Sequence, residues 1–416
     1  MFYRLFERPH AIQRQLSSPL LEQRVRYLEH CAEQGFLPTT LRRMAFYQLI
    51  VIKYLNLDKK RRVTPQQIQT AAVRWMRHQV HHQRLKGGCP RLSKARFLWC
   101  AVNWLRYLGL LKTPPAPPSP PEVVAFAEYM RKERGFSEAT IRYRCREVCR
   151  FLHQIRQHRR TLAEITIPQM EAILVRQFGQ GKYSPRTIQT LVSTLRAFFR
   201  FAESRHWCSP TIAAVLKAPR TYRHAALPSS PIWDDVKRLI RTTQGSRRAD
   251  IRDRAILLLF ALYGLRASEV ARLCLDDLDW KQGILHFTRS KGGRPQQFPL
   301  HPSVGQALLR YLQESRPPSR CRQIFLTTRA PIVPLRQPAL TAIVGRRWKP
   351  LNVPIRHHGP HSLRHACATR LMNQGVLLKT IADHLGHRDL ETTRIYAKVD
   401  LPRLREVARF SLGGLI

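Results

Sequence analysis

The sequence predicts a mostly α-helical chain of several domains with one small antiparallel sheet. Apolar residues recur at helical spacing over most of its length, two proline-containing breaks divide it, and one pair of strand-like runs lies in the last third. A chain of 416 residues exceeds one ordinary domain, and its apolar content of 44% is enough for packed cores. We therefore expect helical N-terminal domains followed by a mixed α/β domain.

The two breaks set the predicted domain boundaries. Residues 113–121 read TPPAPPSPP, which cannot form a helix and predicts a semi-rigid spacer. Residues 218–231 form the second linker, in which Ser230 and Pro231 are expected to begin a helix over IWDDVKRLI. The predicted segments are therefore 1–112, 122–217 and 232–400, with 401–416 as a C-terminal tail.

The middle segment is predicted to be entirely helical. One apolar stripe at helical spacing comprises Ile141, Cys145, Val148, Cys149 and Leu152. Two sets of arginines accompany the apolar faces: Arg142, Arg146 and Arg150 on one helix, and Arg186, Arg196 and Arg200 on a later one. A solvated face is the alternative interpretation. Like charges one turn apart destabilise an isolated helix, and few acids lie nearby, so we favour a phosphate-binding surface.

The first segment resembles the second at an offset of 100 residues. Gly35-Phe36 followed by Thr40-Leu41-Arg42 matches Gly135-Phe136 followed by Thr140-Ile141-Arg142. An apolar helix, the runs VTPQQI or ITIPQM, and an aromatic-rich helix then follow in both segments. This order predicts that 1–112 is a second helical unit of the same kind. Coincidence among generic amphipathic helices is the alternative.

The third segment mixes helices and strands. The run DIRDRAILLLFALYG is apolar on nearly every face, which predicts a buried central helix. The runs ILHFTRS and PQQFPL flank Lys291-Gly292-Gly293-Arg294 and predict a β-hairpin with Lys291 in its turn.

Charge restricts the class of partner. Lysine and arginine number 72 against 27 acidic residues, giving a formal net charge of +45. Such an excess would strain a compact fold by self-repulsion unless a polyanion neutralises it, so nucleic acid is the expected partner. No apolar run is long enough for a membrane span, and the nine cysteines contain no CxxC pair. We therefore expect reduced thiols and a cytoplasmic location.

Three residues of the third segment predict a phosphate-binding site. Arg266 follows the buried helix, whose packing would fix its guanidinium; a structural ion pair with Glu269 is the alternative. His361 and Arg364 share the first turn of a helix begun by Pro360, and a helix N-terminus already favours anions. Zinc is the competing interpretation for the histidines, but this stretch lacks a glutamate, so no metal is expected.

Two further residues lie near the end of the chain. Gly386 is expected to end a helix, His387 follows it, and Tyr396 comes nine residues later. A helical tyrosine by itself is usually a packing residue.

Together these motifs resemble the tyrosine recombinase (phage integrase) family. The resemblance is carried by Arg266 within GLRASEV, Lys291 in a hairpin turn, PHSLRH, LGH and the tyrosine after it, in the family's order. It covers about 122–400 and fills all six positions of the family's active site. It implies a helical core-binding domain and a mixed α/β catalytic domain. Residues 1–112 lie outside the usual pattern and are expected to form an extra helical DNA-binding domain.

The resemblance implies a site-specific recombinase that cuts and rejoins DNA through a 3′-phosphotyrosine on Tyr396. Arg266 and Arg364 would hold the non-bridging phosphate oxygens, and His387 would donate a further hydrogen bond. His361 is the expected base, and Lys291 the expected acid for the leaving 5′ oxygen. Neither ATP, metal nor another cofactor is expected. The extra 112 residues favour integration or transposition of a mobile element.

The implied partner is double-stranded DNA, with four protomers on two DNA sites. Accessory recombinases or DNA-bending proteins are further expected partners, and the apolar tail is expected to dock on a neighbouring protomer or on its own domain. A DNA-binding protein of this fold that has lost catalysis is the alternative. A metal-dependent nuclease or transposase and a type IB topoisomerase are the other candidates.

Overall fold

A computed structural model describes residues 1–57, 62–83, 90–112, 119–157, 161–178, 183–219, 230–290 and 293–386. The chain forms two compact units, one of residues 1–113 together with 227–416, the other of residues 114–226. Over these described ranges the fold is mostly helical with one three-stranded antiparallel sheet, so the predicted fold class is confirmed.

The described residues in the N-terminal part of the first unit form six helices: α1 (Phe2–Leu5), α2 (Pro9–Leu16), α3 (Leu21–Glu33), α4 (Pro38–Leu55), α5 (Pro65–Gln83) and α6 (Pro90–Tyr107). Their apolar faces meet in a hydrophobic core of their own, in which Leu28, Val51 and Trp104 are fully buried. The Ile332 N–H donates to the Gln34 carbonyl at 3.1 Å and links these helices to the rest of the unit.

The second unit is entirely helical in its described residues, with α7 (Pro121–Lys132), α8 (Glu138–Gln157), α9 (Ile167–Phe178), α10 (Pro185–Ser204) and α11 (Ile212–Val215). The predicted apolar stripe of α8 faces the core: Ile141, Val148 and Leu152 are buried. Cys145 and Cys149 pack against the same core from its edge. Helical spacing alone therefore located this face correctly.

The remaining described part of the first unit contains α12 (Trp233–Arg241), α13 (Arg248–Tyr263), α14 (Ala267–Val270), β1 (Leu278–Asp279), β2 (Ile284–Thr288), β3 (Pro295–Pro299), α15 (Pro302–Arg310), α16 (Gln337–Trp348), α17 (Pro360–Asn373) and α18 (Leu378–Leu385). The predicted start of α12 at Ser230 and Pro231 is wrong, because Ile232 is the N-cap. Asp234 and Asp235 supply negative charge to the first turn without a capping side chain.

Helix α13 is the centre of this part of the unit, as its apolar sequence predicts. Leu257, Leu259 and Phe260 are fully buried, and α12, α15, α16 and α17 all pack against it. The Tyr263 hydroxyl donates to the Pro299 carbonyl at 2.8 Å and accepts from the His301 N–H at 2.7 Å. These two bonds fix the end of α13 to the end of β3.

The predicted hairpin is present. β2 pairs antiparallel with β3, with Leu285 opposite Phe298, and the Arg289 N–H donates to the Arg294 carbonyl at 2.9 Å. The short β1 pairs with the other edge of β2 and was not predicted, because two residues show no periodicity. Lys291 and Gly292 lie outside the described residues. Among the described helices, none is long and apolar enough to cross a membrane.

An ion network joins α13 to α16. The Arg347 guanidinium donates to Asp250 at 2.7 Å and to Asp253 at 2.6 and 2.9 Å. The side chain of Asp253 is only 5% exposed, and Arg252 also donates to it at 2.7 Å. Because a carboxylate in this position depends on its partners, Arg347 holds these two helices together.

We predict that Arg347→Met destabilises the hydrophobic core around α13 by about 3 kcal/mol, since it leaves Asp250 and the buried Asp253 without their shared cation. The measurement is the thermal transition of that core in differential scanning calorimetry. The matched control is Arg322→Met, which breaks the exposed pair with Asp276 and should leave the transition temperature nearly unchanged, because solvent screens such a pair. Equal shifts for the two variants would contradict a structural role for the network.

Candidate active site

Three helix ends meet at the candidate site: the ends of α13 and α18 and the first turn of α17. Gly264 follows α13 with φ +59°, and Gly386 follows α18 with φ +63°. A Cβ on Gly264 would lie 2.6 Å from Cδ2 of Leu385. Both turns therefore need a left-handed backbone, and both need the absence of a side chain, since a Cβ on Gly386 would lie 2.5 Å from Nε of Arg289.

The end of α18 carries four carbonyls that each accept a hydrogen bond from a side chain. They are those of Asp383, His384, Leu385 and Gly386, which accept from Gln296, Arg289, Arg364 and Arg266 respectively. The last carbonyls of a helix have no partner within it and form the negative end of its dipole. Three guanidinium groups therefore stabilise the segment that immediately precedes His387.

Arg266 and Arg364 differ in exposure. Arg364 is only 2% exposed and also donates to the Gly264 carbonyl at 2.6 Å, so it ties α17 to the ends of both α13 and α18. The side chain of Arg266 is 23% exposed and donates to the Gly386 carbonyl at 3.2 Å. Arg266 is thus the more accessible of the two to a ligand.

Glu269 lies beneath Arg266 with a fully buried carboxylate. It accepts from the Arg266 guanidinium at 2.9 Å, from Arg289 at 3.1 Å, and from the backbone N–H groups of Arg266 and Ser290. Burial alone would raise the pKa of this carboxyl, but the two N–H groups and the arginines outweigh it and lower the pKa. The structural pair that the sequence left as an alternative is therefore formed.

Arg289 was missed by the sequence analysis. Its side chain is 3% exposed and lies over the rings of Phe287 and Phe298, at 4.7 and 5.7 Å from their centroids. It bonds Glu269, Gln296 and the His384 carbonyl, and so connects the hairpin to α18. A signal existed, because residues 285, 287 and 289 share one face of the strand and the first two are apolar.

His361 occupies the first turn of α17 and is exposed. Surrounding protein still lowers the pKa of its imidazole by desolvation, and the positive charge of Arg364, then of His357 and Arg266, acts in the same direction. The ring of His365 lies 4.4 Å away, edge to face, and burial lowers its pKa to about 4. The lowered pKa favours the neutral imidazole, which is the form that accepts a proton.

The structure thus brings together three of the six predicted site residues: Arg266, His361 and Arg364. Lys291, His387 and Tyr396 lie outside the described residues. Within the described part of the chain, no three histidine, cysteine or acidic residues form a cluster that could hold a metal ion.

The six arginines predicted to bind DNA belong to the second unit. Arg142, Arg146 and Arg150 are exposed on α8, and Arg186 and Arg200 are exposed on α10. Glu147 pairs with both Arg146 and Arg150. Arg196 differs, because it is partly buried and its Nε donates to the Leu216 carbonyl at 3.0 Å. That bond ties α10 to the end of α11, so Arg196 holds the fold in this structure.

Comparison with known proteins identifies the family to which the chain belongs. The phage integrase family model matches residues 233–402, and the phage integrase N-terminal SAM-like domain matches residues 123–206. Tyrosine recombinase XerC of Thermodesulfovibrio yellowstonii is 31% identical over 298 residues, covering 68% of this chain and 94% of that protein.

Two solved structures share the fold. The XerH site-specific recombinase, bound to palindromic difH substrate in a post-cleavage complex, aligns with a TM-score of 0.56 and 18% identity, over 83% of this chain and 96% of that one. A lambda integrase dimer bound to a COC′ core site aligns with a TM-score of 0.53 and 19% identity, over 66% and 93%. The chain belongs to the phage integrase family of tyrosine recombinases.

We predict that Glu269→Gln lowers the free energy of unfolding by about 3 kcal/mol at neutral pH, because it leaves the buried Arg289 without its anion. The folded-state pKa of Glu269 is lowered, so its stabilisation is complete above its ordinary value of 4.5. Stabilisation is lost as the pH falls below 4.5 through the lower folded pKa. Denaturant unfolding from pH 7 to pH 3 should show the two proteins converging at the acid end; a constant difference would contradict this assignment.

We also predict that Gly386→Ala destabilises the protein by about 2 kcal/mol, because the residue is left-handed and its Cβ would lie 2.5 Å from Nε of Arg289. Gly283→Ala is the matched control: its φ is +65°, but a Cβ there meets nothing within 4 Å. The control should show only the backbone strain of about 1 kcal/mol. If both variants unfold at the same denaturant concentration, the close approach of Arg289 is not significant.

Proposed function

We propose that this chain is a site-specific DNA recombinase that cuts and rejoins DNA through a covalent 3′-phosphotyrosine on Tyr396. We further propose that it integrates or transposes a mobile element and acts in the cytoplasm on nucleoid DNA. The observation that carries the proposal is the convergence of Arg266, Arg364 and His361 at the helix end one residue before His387. A family match over both domains supports it.

The proposed chemistry requires positive charge around one phosphate. Attack on a phosphodiester places additional negative charge on the non-bridging oxygens in the transition state, where each preorganised donor contributes a few kcal/mol. Arg266 and Arg364 are preorganised because Glu269 and backbone carbonyls already hold them. His387 would donate a further hydrogen bond to the same phosphate.

Proton transfer accompanies both halves of the reaction. Tyrosine has an ordinary pKa near 10, so Tyr396 needs a base or positive surroundings to attack at neutral pH. His361 is the proposed base, since its lowered pKa favours the neutral imidazole. Lys291 is the proposed acid: it would protonate the 5′ oxygen as the bond to phosphorus breaks. The phosphotyrosine keeps a phosphate ester throughout, so rejoining with a 5′ hydroxyl requires no ATP.

The proposed DNA contacts of the second unit are Arg142, Arg146, Arg150, Arg186 and Arg200, which its helices expose. Arg196 joins this set only if DNA displaces it from the Leu216 carbonyl. Exchange between two duplexes needs four cut strands, so we propose a tetramer on two DNA sites. The DNA-bound assemblies of XerH and lambda integrase support DNA as the partner.

We predict that the wild-type chain forms a covalent adduct with nicked suicide duplexes. A binding site is first selected from randomised duplexes, and the nick is then placed at successive positions across it. Strand cleavage beside a nick releases a short fragment, which traps the enzyme on the 3′ phosphate. The adduct should survive denaturing electrophoresis, leave a free 5′ hydroxyl and persist in EDTA. Tyr396→Phe should bind the duplex normally and form no adduct.

Each of the other possible results supports a different assignment. Binding without any wild-type adduct would establish the catalytically silent DNA-binding alternative. Cleavage abolished by EDTA would indicate a metal-dependent nuclease, and an adduct with Tyr396→Phe would place the nucleophile elsewhere.

A further inference from the structure

The N-terminal helices α3–α6 repeat the order of α7–α10 and bury equivalent positions. Left-handed glycines follow the first helix of each set, Gly35 with φ +83° and Gly135 with φ +59°. Four positions of α4 and α8, offset by 100 residues, carry buried apolar residues in both helices: Leu41 and Ile141, Val51 and Phe151, Ile52 and Leu152, Leu55 and Ile155. The cores of the two sets therefore follow one pattern, and their surfaces can be compared position by position.

The basic stripe of α8 does not recur on α4. Arg42 is equivalent to Arg142. Its Nε–H donates to the Leu5 carbonyl and its guanidinium lies 3.6 Å from the Glu7 carboxylate, so this side chain is already bound by α1 and the residues after it. Phe46 replaces Arg146, and the buried Ile50 replaces Arg150. Helix α4 therefore lacks the cationic face that is proposed to bind phosphates on α8.

Helix α6 carries a cationic face instead. Arg96, Trp99, Asn103 and Arg106 follow one another at spacings of three, four and three residues, which places them on one side of the helix. Both arginines are exposed, and Trp99 is 45% exposed. Neither arginine forms an ion pair with any residue in the described ranges. The helix of the second unit that is equivalent to α6 is α10. Four buried positions correspond at one constant offset: Phe97 with Leu191, Ala101 with Leu195, Trp104 with Phe198, and Leu105 with Phe199. The same offset aligns Arg106 with Arg200.

We propose that this face of α6, formed by Arg96, Trp99, Asn103 and Arg106, is a second surface for duplex DNA. The inference rests on the proposed function, in that the chain acts on DNA. Ten residues of helix separate the two arginines by about 15 Å along the axis. The major groove is about 12 Å wide, so the two guanidinium groups can reach phosphates on its two sides. Asn103 and Trp99 then lie between them, towards the bases.

In this proposal the N-terminal helices contact DNA through α6, whereas the second unit presents arginines on both α8 and α10. Phosphate contacts release counterions. Each contact makes the plot of log binding constant against log salt concentration steeper, by about −0.9 in its slope. Removing two such contacts should therefore make the slope shallower by about 1.8. This quantity depends on contacts made and not on the sequence of the DNA, so an unidentified target site does not prevent the measurement.

The experiment compares the full chain with Arg96→Ala/Arg106→Ala on a random-sequence duplex between 50 and 200 mM salt. The control is Arg14→Ala/Arg26→Ala, which removes the same charge from exposed positions on α2 and α3. Circular dichroism melting verifies that all three proteins are folded. We expect the slope of the α6 variant to be shallower by about 1.8 and that of the control to match the wild type. Trp99→Ala should weaken binding severalfold without changing the slope.

Equal slopes for the α6 variant and the control would overturn the proposal, since they would show only the general effect of net charge. A shallower slope in the control but not in the α6 variant would place the surface on α2 and α3 instead. Failure of the proposed function is a separate result: the wild type would form no adduct on nicked duplexes, whereas the salt comparison would be unaffected.

Discussion

The carboxyl end of α18 is the feature on which the candidate site depends. Four successive carbonyls there point out of the helix, and four side chains from the hairpin, α17 and the turn after α13 bind them. Leaving such carbonyls unpaired would be costly in a buried environment. These carbonyls need hydrogen-bond donors, and three of them are provided with one by an arginine, so the three arginines lie close together. Two of them, Arg266 and Arg364, are proposed phosphate ligands.

Glu269 stabilises this cluster of three arginines. Three guanidinium groups near a buried helix end would repel one another, and a fully buried carboxylate compensates for part of that charge. The same contacts restrict Arg266 in the absence of a ligand, which is the preorganisation that its proposed role in holding a phosphate requires. Structural pairing and a role in chemistry are thus not alternatives for Arg266, because the pair is what orients the residue.

Much of the architecture could be predicted because its signals are local. Helical spacing located the buried face of α8, the apolar run located α13, and two strand-like runs located β2 and β3. The start of α12 was misplaced because a serine followed by a proline is a common helix start. In the structure the helix begins two residues later, at Trp233, and buries Val236 and Leu239. Arg289 was missed because a charged residue is ordinarily assigned to the surface, and only its partners on α14, β3 and α18 explain its burial.

The sequence by itself determined the family, the order of the helical and mixed segments, and which residue types could surround a phosphate. Motif order and periodicity are encoded along the chain, so no coordinates are needed for them. Only the tertiary structure decided which arginines are exposed, which are held, and by what. Arg196 bonds a carbonyl 20 residues away, Arg364 reaches one 100 residues away and Arg266 one 120 residues away. Contacts between positions so far apart arise only when the packing of the core brings them together.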